Sequence, residues 1–282
     1  MIDFFVSYKA IMKKVDMHMH TMASDGTWDA TELKNELIKN KIGIFSVTDH
    51  DSVDNIKNMQ EILRNRDNLI FIPGTELTAE YEGKEYHLNL YNYDINDLRL
   101  LELLNWTNQN KLSSNFDYIN YAANKYDNVS AEDYERYEYD RKRGGWKSAN
   151  YMIDKGIHKD IPEHLKDVYN SGLKAMLKSP EEVIHTAKKS GGKIFLAHPS
   201  YHYRDTAMPP EELEYWLALG IDGIECFSPY NGNKAQYYVD FCKRNNLMIS
   251  GGSDCHGDFI PSRVLGVPDL SLDDLNIKKL LD

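Results

Sequence analysis

Histidines and carboxylates follow directly after several short runs of β-branched and aromatic residues in this chain. The first case is VDMHMH, which ends in His18 and His20. Residues two apart on a strand point to the same face, so both imidazoles would lie side by side. Two adjacent imidazoles repel each other when protonated, whereas a cation between them binds their neutral form. The pair therefore predicts a metal site; the alternative is two hydrogen-bonded core histidines.

Further candidate ligands lie at later strand ends, within one strand, or in the loop after the first strand. The complete set is His18, His20, Asp25, His50, Glu76, His87, His198, Asp254 and His256. One metal takes about three or four protein ligands, so this set indicates two or three ions. Mixed imidazole and carboxylate donors suit zinc, manganese or ferrous iron. Metals about 3.5–4 Å apart serve in-line displacement at phosphorus, so the set predicts hydrolysis of a phosphate ester.

These residues are positioned by alternating strands and helices. The patterns predict strands at 10–19, 42–48, 68–76, 85–92, 193–197, 221–227 and 246–252, and helices at 29–40, 53–66, 180–190, 210–219 and 232–245. Asp29 and Glu32 have the spacing of a capping box. The alternation predicts an α/β fold with a largely parallel sheet. Seven strands favour a TIM-like barrel over a doubly wound open sheet, and both place active sites at the carboxyl ends of strands.

The stretch 95–178 interrupts this alternation. It contains a long amphipathic run and a Tyr-rich polar region without a strand pattern. We interpret it as a helical insertion and a candidate lid over the substrate. The predicted catalytic barrel then consists of 1–94 and 179–282.

Eight motifs together resemble the PHP superfamily, named for polymerase and histidinol phosphatase domains. They are HMH at 18–20, SDG at 24–26, TDHD at 48–51, GTE at 74–76, YHLNLY at 86–91, AHP at 197–199, GIE at 223–225 and SDCHG at 253–257. Their order and spacing resemble the family over both parts of the chain outside 95–178. The length and the insertion are similar to a subgroup of nucleoside 3′,5′-bisphosphate phosphatases and 5′-directed exoribonucleases.

The resemblance implies a distorted TIM-like (β/α)7 barrel and three divalent metals, with manganese expected and zinc or iron as alternatives. It implies a first metal on His18, His20, Glu76 and Asp254, a second on Glu76, His87 and His198, and a third on Asp25, His50 and His256.

Basic residues near the motifs are candidates for substrate binding. Arg143 and Lys147 belong to a basic run in an acidic chain and could clamp a phosphate, although a solvated charge run is the alternative. Arg204 and Arg263 follow the later motifs and are further phosphate candidates. Shortly after His198, His202 could protonate the leaving alkoxide. We predict that Asp254 is both a catalytic residue and a metal ligand.

Three more acidic residues and three more histidines have other predicted roles. Asp49, Asp51 and Glu225 lie beside the ligands and could orient metal-bound imidazoles. His158, His164 and His185 lie away from the strand ends, and we expect them at the surface.

Composition limits the partners. The 282 residues carry a net charge of −11, so long nucleic acid is a poor default partner, and no apolar run reaches the ~20 residues that span a membrane. The amino-terminal segment lacks the features of a secretory signal, and three cysteines form no disulfide framework. We therefore expect a cytoplasmic protein, of an oligomeric state that the sequence does not specify.

The leading functional prediction is a phosphoesterase for a small phosphomonoester, such as a nucleotide or a related phosphorylated metabolite. The alternative is an exonuclease that acts at the 5′ end of short oligonucleotides. An amidohydrolase-like enzyme ranks lower, because no lysine lies at a matching strand end. A non-enzymatic metal-binding module ranks lower as well, because all nine expected ligands are present.

Overall fold

The structure is a computed structural model that describes residues 14–64, 68–203 and 205–281. In chain order the elements are β1 Lys14–Asp16, α1 Ala30–Lys39, β2 Ile42–Phe45, α2 Asp54–Ile62, β3 Ile70–Phe71, β4 Gly74–Tyr81, β5 Lys84–Tyr91, α3 Leu98–Ala123, α4 Ala131–Arg136, α5 Lys147–Asp154, α6 Ile161–Ser171, α7 Pro180–Lys189, β6 Lys193–Leu196, α8 Pro210–Ala218, β7 Gly223–Phe227, α9 Ala235–Arg244 and β8 Met248–Gly251. Short 3₁₀ helices occur at Arg141–Arg143, Gly232–Lys234 and Lys278–Leu280. Of the predicted elements, residues 10–13 and 65–66 lie outside the described parts.

Local sequence signals explain where several helices begin. Asp29 accepts hydrogen bonds from the backbone of Thr31 and Glu32, and the Glu32 carboxylate accepts one from the Asp29 backbone, so the predicted capping box is confirmed. Ser179 caps α7, which starts at Pro180, where the missing proline N–H costs no helical hydrogen bond.

The strands form two sheets. One is parallel, in the order β1-β2-β3, and the other has the order β4-β5-β6-β7-β8, in which only β5 runs antiparallel to its neighbours. Isolated parallel bridges, Met19 with Cys255 and His50 with Glu76, connect the sheets beyond β1 and β2. The mixed α/β class is thus confirmed, but the strands do not form one continuous seven-stranded parallel barrel.

The third predicted strand, 68–76, accounts for this difference. It breaks into β3 and β4 at Pro73, which has no N–H to donate to a neighbouring strand. β4 then turns back into β5 through Glu82 and Gly83, both at positive φ (50° and 76°), as a two-residue hairpin turn requires. The turn at Glu82 and Gly83 makes β5 antiparallel to β4 and β6, whereas the sequence pattern predicted a largely parallel sheet.

Three apolar clusters hold the molecule together. The largest includes residues of β4–β8 and of α7–α9, and a second contains residues of β2, α1 and α2 together with Met19 and Cys255. The third lies within the insertion and contains Tyr118, Ile119, Tyr151 and Met152. Residues 95–178 are helical without a strand, as predicted, while their status as a separate lid stays a prediction.

Among the described residues, no helix combines the length and apolar character needed to cross a lipid bilayer.

Candidate metal centre

The candidate ligands meet at one edge of the sheets. His18, His20 and His50 follow β1 and β2, and Asp254 and His256 follow β8. Two further candidates, Glu76 and His87, lie within strands, and His198 follows β6. His87 reaches the same edge because β5 is antiparallel, so its amino-terminal half lies beside the carboxyl end of β6, where the Ala197 N–H donates to the His87 carbonyl (3.0 Å).

The backbone at this edge is strained. Asp51, His198 and Asp254 have φ values of 43°, 26° and 52°, a region that residues with a Cβ rarely adopt. Gly252 allows the chain after β8 to approach His18, because a Cβ there would lie 2.4 Å from the His18 Cβ. Such concentrated strain is typical of functional sites.

The deepest group consists of His18, His20, Glu76 and Asp254, all buried. The Nε2 atoms of the two histidines lie 3.2 Å apart and face the same two carboxylates. Nε2 of His18 is 3.3 Å from Glu76 and 3.4 Å from Asp254, and Nε2 of His20 is 3.3 and 3.1 Å from them. The predicted convergence of His18 and His20 on one face is present.

Two more groups flank this one. Asp25, His50 and His256 lie together with His20, and Nε2 of His256 is 3.4 Å from Asp25. On the other side, His50, Glu76 and His87 form a group, and Nε2 of His198 lies 3.0 Å from Glu76 Oε1. All nine candidate ligands therefore come together in space.

Outer contacts fix which nitrogen of an imidazole faces inward. His18 Nδ1 lies 2.9 Å from Glu225 and 2.9 Å from the Asn89 amide nitrogen, His87 Nε2 lies 3.0 Å from Glu85, and His256 Nδ1 lies 2.8 Å from the Asp254 carbonyl oxygen. With one nitrogen engaged by these outer partners, the other points toward the carboxylates. This arrangement of partners is typical of metal-binding histidines.

Unpaired polar atoms test whether a metal fits. Nδ1 of His50, Oε2 of Glu76 and Nδ1 of His87 are buried and have no hydrogen-bond partner in the described parts of the chain. The same three residues belong to one group whose donor atoms lie within 4.8 Å of one another. A divalent cation would satisfy all three atoms, so the residues fit the predicted metals.

The charge distribution favours cations as well. Burial lowers the pKa of His20, but Asp254 and Glu76 outweigh burial and raise that pKa to about 9. Burial also lowers the pKa of His87, but Glu76 and Glu85 outweigh burial and raise that pKa to about 10. The pKa of His50 is instead lowered well below its ordinary value by burial, which Glu76 and Asp25 only partly oppose.

Among the predicted substrate residues that the structure describes, Arg263 contacts a candidate ligand directly. Its Nη1 lies 2.9 Å from Asp254 Oδ2, and its guanidinium lies 5.1 Å from the ring of Tyr230. The Tyr230 hydroxyl donates to the same Asp254 oxygen (3.1 Å), and its ring lies 5.3 Å from that of His198. A cation and an aromatic ring therefore border the cluster.

The other basic candidates lie farther into the insertion or have different partners. Arg143 pairs with Asp154 (2.8 Å), and Lys147 donates to the Glu135 carbonyl oxygen (3.2 Å). Arg204 lies outside the described residues. The substrate roles of Arg143, Lys147 and Arg204 stay predictions.

His202 is half-buried, and its Nε2 donates to the Glu85 carbonyl oxygen (2.6 Å). Burial lowers its pKa, which favours the neutral form. Both features weaken the case for His202 as the general acid, a role that remains a prediction.

Of the three carboxylates predicted to orient imidazoles, the structure places one against a ring. Glu225 contacts His18, whereas Asp49 accepts from Thr21 and Ser24, and Asp51 accepts from Thr78. Sequence reasoning missed Glu85, which contacts His87; its position two residues before that histidine on β5 was the available signal.

The surface prediction for the remaining histidines is wrong for two of three. His158 and His164 are buried within the insertion, with Nδ1 atoms 3.3 Å apart, while His185 is exposed. His158 also lies 3.4 Å from Asp167, and the Tyr118 hydroxyl donates to that carboxylate (2.8 Å). Packing of α3 against α6 buries them, which their polar sequence surroundings did not indicate.

Comparison with known proteins adds to this geometry. No protein-family model matches the chain. The chain is 24% identical over 257 residues to a 5′-3′ exoribonuclease of Haemophilus influenzae, covering 86% of this chain and 90% of that protein. It is also 24% identical over 248 residues to the 5′-3′ exoribonuclease Rnm of Escherichia coli, covering 86% and 84%.

Solved structures share the fold. A protein of Bifidobacterium adolescentis, classed as a metal-dependent phosphoesterase, superposes with a TM-score of 0.80 over 95% of both chains at 24% identity. An amidohydrolase of Chromobacterium violaceum has a TM-score of 0.70 over 87% and 88% of the chains at 19% identity. The chain resembles the PHP-type metal-dependent phosphoesterases.

The shared fold of a structure classed as a metal-dependent phosphoesterase and the names of the two relatives agree with the predicted class, a metal-dependent hydrolase of phosphate esters. The expectation that long nucleic acid is not a partner is at odds with relatives named as exoribonucleases.

Proposed function

We propose that this chain hydrolyses a small phosphomonoester, such as a nucleotide or a related phosphorylated metabolite, with three divalent metals held by the nine clustered residues. The observation that carries the proposal is the convergence of three groups of imidazole and carboxylate ligands, which are joined because each pair of groups shares one of His20, His50 and Glu76. Manganese is the expected ion, with zinc and iron as alternatives. We also propose that the two bridged sheets act as one distorted barrel around the centre.

The metals would be divided among the residues as their contacts suggest. His18, His20 and Asp254 share Glu76 with His87 and His198, while Asp25 and His256 adjoin His50. Bound divalent ions supply Lewis acidity, which activates water and neutralises charge on phosphate oxygens.

The chain's own residues would hold and orient the substrate. Arg263 can donate to the oxygens of a phosphate group, because its guanidinium has donors beyond the one that contacts Asp254. Tyr230, and Tyr201 with its ring 5.2 Å away, offer aromatic surface beside His198 for the leaving group. Arg143 and Lys147 remain proposed contacts for a second anionic group, and His202 the proposed proton donor.

The opening over the cluster is limited. The partly exposed imidazoles are His50 and His87, with 20% and 19% of their side-chain surface accessible, whereas His18, His20 and Glu76 are inaccessible. A terminal phosphate can reach such partly exposed imidazoles more readily than the middle of a long strand. This geometry supports a substrate presented end-on.

A 5′-end exonuclease acting on short oligonucleotides is the second candidate. The two curated relatives, both named 5′-3′ exoribonucleases, favour it, as they match 84–90% of their own length. The two candidates differ in the bond that breaks: a phosphomonoesterase releases inorganic phosphate, whereas the exonuclease releases a nucleoside 5′-monophosphate.

One product analysis tests both candidates. The purified chain with Mn²⁺ is incubated with nucleoside monophosphates, nucleoside bisphosphates, sugar phosphates and a 5′-phosphorylated RNA trimer, with the His20→Ala protein as control. Inorganic phosphate from the small esters supports the first candidate, and nucleoside monophosphate from the trimer supports the second. A wild-type protein that holds two or more metals per chain but releases neither product would contradict the proposal.

A further inference from the structure

A lysine on the longest helix of the insertion contacts residues that adjoin the metal centre. Lys111 of α3 extends its ammonium group to Asp51 Oδ2 (2.9 Å) and Thr78 Oγ1 (2.8 Å), and lies 4.0 Å from Glu85 Oε1. Asp51 is almost fully buried, and Lys111 is 28% exposed. One turn earlier on the same face, the Asn108 amide donates to the Asp51 carbonyl oxygen (2.8 Å). Two side chains of α3 therefore hold Asp51.

The residues that Lys111 contacts adjoin one group of candidate ligands. Asp51 follows His50 directly, and its N–H donates to the Glu76 carbonyl oxygen (2.8 Å). Thr78 on β4 is the register partner of His87 on β5. Glu85 accepts from Nε2 of His87. Lys111 thus connects the three segments that carry His50, Glu76 and His87.

The need for such a connection follows from exposure. Glu85 is 46% exposed, so its carboxylate would be free to move in the absence of the nearby ammonium group. A free Glu85 would no longer hold the His87 ring in one orientation. Loss of an outer partner of a metal-binding histidine typically weakens metal affinity about 10- to 100-fold.

We propose that Lys111 is a positioning residue for the His50–Glu76–His87 group, so that the insertion forms part of the metal centre. The proposal rests on the proposed function, because it requires that this group bind a metal. The direction in which metal affinity changes when Lys111 is removed distinguishes this role from simple charge repulsion. As a nearby positive charge, Lys111 repels a cation, and its removal would tighten metal binding. As a positioning residue, its removal weakens metal binding.

The test compares three variants of the full chain by titration with Mn²⁺, in which free Mn²⁺ is followed by its electron paramagnetic resonance signal. Lys111→Met is expected to weaken the binding of at least one Mn²⁺ ion about tenfold. Lys111→Arg, which keeps the charge, is expected to restore most of the affinity. Lys125→Met is the matched control, since Lys125 lies in the insertion two residues after the end of the same helix and pairs with Asp167 (3.1 Å).

Unchanged or tighter Mn²⁺ binding in Lys111→Met, with wild-type binding intact, would overturn the role of Lys111 alone. A wild-type chain that binds no Mn²⁺ would overturn the proposed function and this inference with it. If Lys111→Met does not fold, Glu85→Gln replaces it: this variant keeps an acceptor for His87 but loses the charge that attracts Lys111. Mn²⁺ binding should then weaken as in Lys111→Met, and unchanged affinity would overturn the inference.

Discussion

Two regions of this protein bury histidines, and their surroundings differ. In the metal centre, His20 lies among Asp25, Glu76 and Asp254, and its pKa rises to about 9 although burial opposes the rise. In the insertion, His164 faces His158, with Asp167 as the nearby carboxylate, and burial lowers its pKa to about 4. Burial lowers the pKa of an imidazole, as at His164 and also at His50 of the metal centre, and positive charge is favoured where carboxylates outweigh burial, as at His20.

The largest expected effect tests whether the carboxylate-rich cluster alone performs the chemistry. His20→Ala removes a donor shared by two candidate groups, and we expect kcat/KM to fall more than about a thousandfold, because bound metals contribute several kcal/mol. His164→Ala should keep both metal content and activity. Steady-state assays and elemental analysis of both variants measure the difference. Wild-type activity in His20→Ala would contradict the prediction that the carboxylate-rich cluster performs the chemistry.

The next effect concerns the residues that orient imidazoles. Glu225→Gln weakens the contact that holds His18, and we expect a loss of about 10- to 100-fold in metal affinity. Asp167→Asn, the same kind of change in the insertion, should leave metal affinity unaltered. Titration of each apoprotein with Mn²⁺ separates the two. Equal losses in both variants would mean that Glu225 acts on general stability rather than on His18.

The pH dependence of stability should differ between the regions. Unfolded, His164 has an ordinary pKa near 6.5, and folded, burial and His158 lower it to about 4. Between these values the unfolded chain binds more protons, so this histidine reduces stability as the pH falls from about 6.5 to 4.

At pH 5 the loss relative to pH 7 is about 2 kcal/mol. His164→Leu should remove this part of the pH dependence, as measured by urea unfolding of both proteins at the two pH values. The titratable groups facing His164 are His158 and Tyr118, whose ring lies 5.2 Å from that of His164, and beyond them Asp167. An identical pH dependence in the variant would show that His164 is not held neutral.

The smallest expected effect separates arginines of the two regions. Arg263→Ala should raise KM about tenfold with little change in kcat, because a charged hydrogen bond to phosphate contributes about 1.5 kcal/mol or more. Arg136→Ala in the insertion loses an exposed pair with Glu132 and should change neither constant. Initial rates over a range of substrate concentrations measure both. A fall in kcat with loss of metal would instead mean that Arg263 acts through Asp254.

Much of the candidate centre could be predicted because the signal is local. His18 and His20 share a strand face by spacing alone, and the carboxyl ends of parallel strands share an edge. The same reasoning predicted the mixed α/β class and the helices. It did not predict the antiparallel β5, because whether Glu82-Gly83 turns the chain back depends on two backbone conformations that the apolar pattern does not encode.

Contacts between segments distant in the chain could not be predicted in this way. His158 and His164 occur in a polar stretch, and only the packing of α3 against α6 buries them. The sequence predicted an orienting role for Asp49, Asp51 and Glu225 alike. The structure distinguishes them, because of these three residues Glu225 contacts an imidazole.

Residue types and their periodicity thus determined which donors could meet and what ions they would suit, since both are properties of single segments. Tertiary structure decided which nitrogen of His18, His87 and His256 faces inward. It also decided that Lys111 of α3 contacts Asp51 beside the centre. The physical reason is that ligand identity is covalent, whereas orientation and charge balance arise from neighbours brought together only when the sheets, helices and insertion pack.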